Sequence, residues 1–178
     1  MGKQGKSGGT HSGCRAGRGL VLALALCLAA SSPARAEDEA VSEELVFQAD
    51  TASVKALLAD TGLAFSLNQD VLSYRVEDAP PCQLVHVTTR GVTAPFHYTV
   101  RRCPTSTGFR ETLVSGDGNV EAMDVEWRAV PHGDGTKVRL SVLTRIARVP
   151  QFLVNQHARQ SIAASLRSLG RKADAQAR

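Results

Sequence analysis

Val120-Glu-Ala-Met-Asp-Val-Glu-Trp-Arg-Ala-Val-Pro-His-Gly-Asp-Gly-Thr-Lys-Val-Arg-Leu-Ser-Val-Leu-Thr-Arg-Ile-Ala147 is the stretch from which the architecture follows. Met123, Val125, Trp127 and Ala129 alternate with polar neighbours, the period of a half-buried strand. Pro131 to Gly135 turns the chain back. Val138, Leu140, Val142 and Thr144 then answer from one face of a second strand over Thr136 to Ala147. A connection this short makes the pair antiparallel. Pro150 opens a helix, since proline is tolerated in a first turn. Val154, Ala158, Ile162, Leu166 and Leu169 recur at helical spacing, with Arg159, Arg167, Arg171 and Lys172 off that stripe. The helix is expected to run to about Lys172, with residues 173–178 a frayed tail.

Upstream the same reading continues. Val41 to Ala49 reads as a strand, with Leu45 and Phe47 on one face. Asp50 or Thr51 caps a helix through Val54, Leu57 and Leu58, which Gly62 ends or interrupts. A short helix over Leu63 to Gln69 follows, then a strand over Val71 to Glu77 and a turn at Asp78-Ala-Pro-Pro81. Two β-type runs, Cys82–Arg90 and Phe96–Cys103, flank Gly91-Val-Thr-Ala-Pro95 and form a hairpin. Phe109 to Ser115 is the next strand, and Gly116-Asp-Gly-Asn119 the next turn. The order is strand, helix, helix, six strands, long helix. Short strand-to-strand links make one antiparallel sheet whose apolar face the last helix covers. This is an α+β domain with its helices on one side.

The first 36 residues read as an address. Residues 1–19 are rich in Gly and Ser and hold four cations; residues 20–30 are an apolar run of eleven. Ser31-Ser-Pro-Ala-Arg-Ala36 then places Ala34 and Ala36 at the −3 and −1 positions of a secretory signal. Cleavage is expected after Ala36, giving a periplasmic or secreted protein. The competing reading is an uncleaved membrane anchor. Eleven residues rise only about 16 Å as helix, roughly half a bilayer core. Leu26 before Cys27 argues against a lipoprotein, and there is no Arg-Arg pair for twin-arginine export. Residues 37–42 are expected to be a flexible start and 43–172 the folded domain.

The formal charge of +4, from 21 Lys+Arg against 17 Asp+Glu, owes its sign to that leader. Lys3, Lys6, Arg15, Arg18 and Arg35 lie within it beside no acid, leaving 16 cations against 17 acids over residues 37–178, a net of −1. A neutral domain lacks the basic footprint of nucleic-acid binding.

Beyond the leader only Cys82 and Cys103 remain. In the symmetric register centred between Val92 and Thr93, Val85 faces Val100, Val87 faces Tyr98 and Cys82 faces Cys103. Opposed Cβ atoms stand about 4.5–5.5 Å apart, so a modest adjustment allows a disulfide in an oxidising compartment. The alternative is two unpaired thiols. Cys82, His86, His97 and Cys103 share a facing, which suggests zinc. Four residues along a strand span about 13 Å, however, and zinc ligands must converge to about 2.0–2.3 Å. No metal and no cofactor is expected.

Three stretches carry a resemblance: Val54-Lys-Ala-Leu-Leu-Ala-Asp60 after a first strand, Trp127 through Val138, and Val149-Pro-Gln-Phe-Leu153 leading into the last helix. In this order the chain resembles the START-like superfamily, also called SRPBCC or Bet v 1-like, over roughly residues 43–170. It looks closest to the polyketide cyclase and coenzyme Q-binding branch. The resemblance implies a helix-grip fold, a curved seven-stranded antiparallel sheet wrapped around the C-terminal helix and an apolar cavity. It implies a lipid, sterol, quinone or polyketide as ligand. It carries no catalytic signature to transfer. Many members are cytosolic, and the export signal here departs from that.

No nucleophile elbow, phosphate loop, metal-protease pair or paired-cysteine motif occurs. Asp117 and Asp134 read as turn formers, and His132 as solvated. His157 lies beside the helical stripe, where surface or helix packing competes with a role as cavity base. His86, His97, Arg90 and Arg101 read as the outer face of the sheet; a basic face can meet an anionic membrane surface, but a plain solvated face is the commoner case. Tyr74 and Tyr98 can each donate a hydrogen bond to a ligand head. The expected ligand-binding residues are Phe96, Tyr98 and Val100 on one strand, with Met123, Val125 and Trp127 on another. Leu140 and Val142 on a third strand, and Phe152 and Leu153 at the helix start, complete the set. They are equally the members of a plain core. The expected function is an exported, non-catalytic carrier of a hydrophobic small molecule. The alternatives are an envelope interaction module with a filled cavity, or a cyclase or hydrolase working inside it. The apolar faces offer no carboxylate; a buried Asp, Glu or His in an open cavity would favour the enzyme.

Overall fold

In the computed structural model, which describes residues 40–91, 94–117 and 119–176, Val120–Ala147 folds largely as two paired strands. These are β6 (Val120–His132) and β7 (Gly135–Ile146). Met123 opposes Thr144, Val125 opposes Val142, Trp127 opposes Leu140 and Ala129 opposes Val138. The two apolar sets therefore share a face. The turn between them is tighter than the expected five residues, because Pro131 and His132 still pair with Thr136 and Gly135. Gly133 takes the left-handed φ of 57° that so short a reversal demands.

The other strands are β1 (Val41–Phe47), β2 (Val71–Ala79), β3 (Cys82–Thr89), β4 (Phe96–Pro104) and β5 (Gly108–Gly116). All pair antiparallel, in the order β1-β7-β6-β5-β4-β3-β2. From β2 to β7 the sheet follows chain order, as short links require. Only β1 arrives from a distance, and it closes onto β7. Among the described residues, both ends of the sheet are edges. Leu45 shares the face of buried Phe47 but stays 38% exposed on the β1 edge. On β2, Leu72, Tyr74 and Val76 are also exposed.

Three helices lie against the curved sheet: α1 (Thr51–Ala59), α2 (Thr61–Ser66) and α3 (Gln151–Gln176). Asp50 caps α1, its Oδ1 accepting from the amides of Ala52 at 2.9 Å and Ser53 at 3.0 Å. The break after α1 falls at Asp60 rather than Gly62. Asp60 is extended, at φ −72° and ψ 100°, and its carboxylate caps α2 at the Leu63 amide. Gly62 sits inside α2, where an added Cβ would come within 2.8 Å of the Tyr74 hydroxyl. The short helix accordingly starts and stops earlier than Leu63–Gln69.

Val154, Ile162, Leu166 and Leu169 of α3 are buried, and the stripe extends through Gly170 and Ala173. At Gly170 the helix packs tightly on Phe47, and a Cβ there would lie 2.9 Å from a ring carbon. Residues 173–176 are helical rather than frayed, and Asp174 accepts from the amides of Gln48 at 3.0 Å and Ala49 at 3.3 Å. Likewise Val41 is a buried strand residue, not part of a loose start. One core cluster joins Phe47, Val54, Leu58, Trp127, Val138 and the α3 stripe. A second holds Phe65, Val85, Val87 and Val100. Each such side chain contributes about 1.5–3 kcal/mol on burial. The signal segment, with Ala34 and Ala36, lies outside the described residues. Among those residues, no helix is long and apolar enough to cross a membrane.

Candidate functional site

The β3–β4 register is the expected one: Val85 opposes Val100 and Val87 opposes Tyr98. Cys82 and Cys103 are disulfide-bonded, with Cα atoms 4.3 Å apart. Their sulfurs are bonded to each other and so are not thiolate ligands. Alternation then divides β4. His97, Thr99, Arg101 and Cys103 take the outer side; Phe96, Tyr98, Val100 and Arg102 take the side under the helices. On the outer side His86 meets Thr99 at 3.0 Å and Glu77 at 3.4 Å, and His97 meets Thr88 at 3.1 Å. Asp117 holds its turn by accepting from the amides of His97 and Asn119, and these bonds lower its pKa.

Between the sheet, α2 and α3 lies a cavity of about 570 Å³. That is the size of a small-molecule site. Met123, Val125 and Trp127 of β6 line it, with Leu140 and Val142 of β7. Phe96 and Tyr98 close it on the β4 side, and Leu153 on the α3 side. Two expected members lie elsewhere. Val100 is fully buried behind Phe65 in the second core cluster. Phe152 is 69% exposed, because the first turn of α3 turns it away from the sheet.

The mouth is polar. His157 Nε2 meets Asp70 Oδ2 at 2.8 Å, and Ser161 Oγ meets Asn68 Oδ1 at 3.2 Å. These contacts tie α3 to the loop after α2. Arg90 stands at the same opening, not on the outer face. It follows the last residue of β3, so strand alternation no longer fixes its side.

Charge lies inside as well. Arg102 is 1% exposed, and its guanidinium has three neighbours. Nη1 donates to Glu111 Oε1, Nη2 donates to the Leu58 carbonyl, and the Phe109 ring lies 4.4 Å from Cζ. The Leu58 carbonyl is in the last turn of α1, where carbonyls lack helical partners and favour a cation. Nε has no partner. Glu111 faces Arg102 from β5 and also lines the cavity. The expectation that these faces carry no carboxylate is therefore corrected. Burial raises the Glu111 pKa, and the Arg102 charge opposes that only in part. Tyr98 is raised too, by burial first and then by the charges of Glu111 and Asp70. Tyr74 instead stacks on Phe65 at 5.9 Å between ring centres, at the β2 edge.

Several solved structures share this architecture. An aromatase/cyclase from Streptomyces sp. R1128 superposes with a TM-score of 0.68 at 15% identity, covering 78% of this chain and 95% of its own. A START superfamily protein from Mycobacterium smegmatis gives 0.66 at 13% identity, covering 76% and 97%. A STAR-related lipid transfer protein from Xanthomonas axonopodis gives 0.56 at 18% identity, covering 74% and 83%. No protein-family model and no curated protein matches the sequence. The chain has the START-like, or SRPBCC, helix-grip fold.

Proposed function

We propose that this protein is an exported binding or carrier protein for a hydrophobic small molecule of lipid or quinone type. The observation that carries the reading is the cavity of about 570 Å³, walled by aliphatic and aromatic side chains and opening at a polar mouth. Burying apolar ligand surface there gains about 25 cal/mol per Å². The lipid-transfer protein among the structural neighbours supports the reading by its title. Export is supported by the leader sequence and is consistent with the Cys82–Cys103 bond.

A second reading, a cavity enzyme, is favoured by Glu111, a buried carboxyl lining an open cavity. The cyclase among the neighbours supports it by title. The carrier reading is preferred because the carboxyl is held by Arg102, which also caps α1. That arrangement serves the fold without any reaction.

Native mass spectrometry of the exported, processed protein tests the proposal. A stoichiometric apolar adduct is expected, on a chain cleaved after Ala36 and lighter by two hydrogens. A protein that stays free of adduct after incubation with a lipid and quinone extract overturns it.

A further inference from the structure

The wall of the cavity carries a tyrosine hydroxyl with no hydrogen-bond partner among the described residues. It belongs to Tyr98, which is half-buried and lines the cavity. Native proteins pair nearly all buried polar groups, so a ligand that displaces water from this wall must itself supply a partner for the hydroxyl. Glu111 lines the same wall. Among the described residues, its hydrogen bond comes from Arg102 and ends on Oε1.

The electrostatics select among partners. Glu111 and Asp70 both act on Tyr98 as negative charges. The nearest buried cation, Arg102, is turned to Glu111 and the Leu58 carbonyl and does not line the cavity. A carboxylate head entering here would lose its water and meet like charge. An uncharged oxygen would not: a carbonyl accepts from Tyr98, and a hydroxyl can also donate to Glu111.

Resting on the carrier reading, we infer that the ligand is an apolar molecule with one uncharged oxygen head, a hydroxyl or a carbonyl. The head bonds Tyr98 beside Glu111, and the apolar body fills the rest of the cavity.

Trp127 is the only tryptophan, and it lines the cavity, so its fluorescence reports occupancy. Four probes of equal chain length are titrated: n-decanol, the matching methyl ketone, decane and decanoate. The alcohol and ketone are expected to bind about tenfold more tightly than decane or decanoate, the worth of one buried hydrogen bond. An alcohol that exceeds the ketone adds donation to Glu111; equal affinities assign the contact to Tyr98 alone. Tyr98→Phe should bring the ketone close to decane, weaken the alcohol by a similar factor and leave decane unchanged. Because the hydroxyl has no protein partner, that variant should melt no lower than the parent. Decanoate binding most tightly, or decanol affinity unmoved by Tyr98→Phe, overturns the inference. Silence from all four probes instead overturns the cavity reading itself, and this inference with it.

Discussion

Arg102 brings a full charge into a place closed to water, and that choice can be measured. Removing one member of a buried pair leaves the other charge uncompensated, which typically costs about 3–5 kcal/mol. Arg102→Ala should lose that much in chemical denaturation, while Arg102→Met with Glu111→Leu should recover most of it. A double variant no better than the single would show that the α1 cap, not the pair, dominates. Protonation adds a second handle. Burial raises the folded pKa of Glu111 above its ordinary value of 4.5. Over the window between those two values the folded chain binds the extra proton, so the contribution of Glu111 to stability falls as pH rises. The stability margin of the parent over Glu111→Gln should therefore narrow from pH 4.5 upward. A margin that widens contradicts the assignment. Both residues were legible in principle. Arg102 is in phase with Phe96, Tyr98 and Val100, and Glu111 with Phe109. Reading charge as a mark of the solvent side hid a signal that the period of two already contained.

At the scale of elements, strong periodicity located the strands and α3, and local chemistry located the α1 cap. The errors fall where the deciding partner is remote in sequence. Ala173-Asp-Ala-Gln176 has no bulky apolar residue, so nothing local says it is packed. Its partners are the amides that follow β1, 125 and 126 residues earlier. A chain ending at Lys172 should lose about 2 kcal/mol or more against urea, since two amides forfeit a charged acceptor. An unchanged midpoint would show those bonds to be idle. Asp60 was passed over for a related reason. Glycine is the conspicuous helix breaker, but one extended aspartate both ends α1 and starts α2.

For the molecule as a whole, short links dictated the antiparallel meander, while the docking of β1 against β7 left no local trace. Apolar faces were readable, but the hollow between them was not. A cavity is the difference between the curvature of a sheet and the bulk of a helix, and no single residue encodes it. The disulfide acts at this same scale, through the unfolded chain. It closes a loop of sequence separation 21. The double change Cys82→Ser and Cys103→Ser should cost roughly 3 kcal/mol. It should leave the probe affinities unchanged, because neither sulfur lines the cavity. A shift in affinity would mean that the bond also shapes the site. The uncovered β2 edge has a different consequence, for behaviour in concentrated solution. If the chain is cleaved after Ala36, residues 37–178 sum to a charge of −1, and such molecules would repel one another weakly in crowded solution. The β1 edge carries Glu43 and Glu44, which discourage a neighbouring strand. The β2 edge carries Arg75, Glu77 and Asp78 but exposes Leu72, Tyr74 and Val76 together. With three exposed apolar side chains against two on β1, the β2 edge is where self-association in concentrated solution is expected to begin.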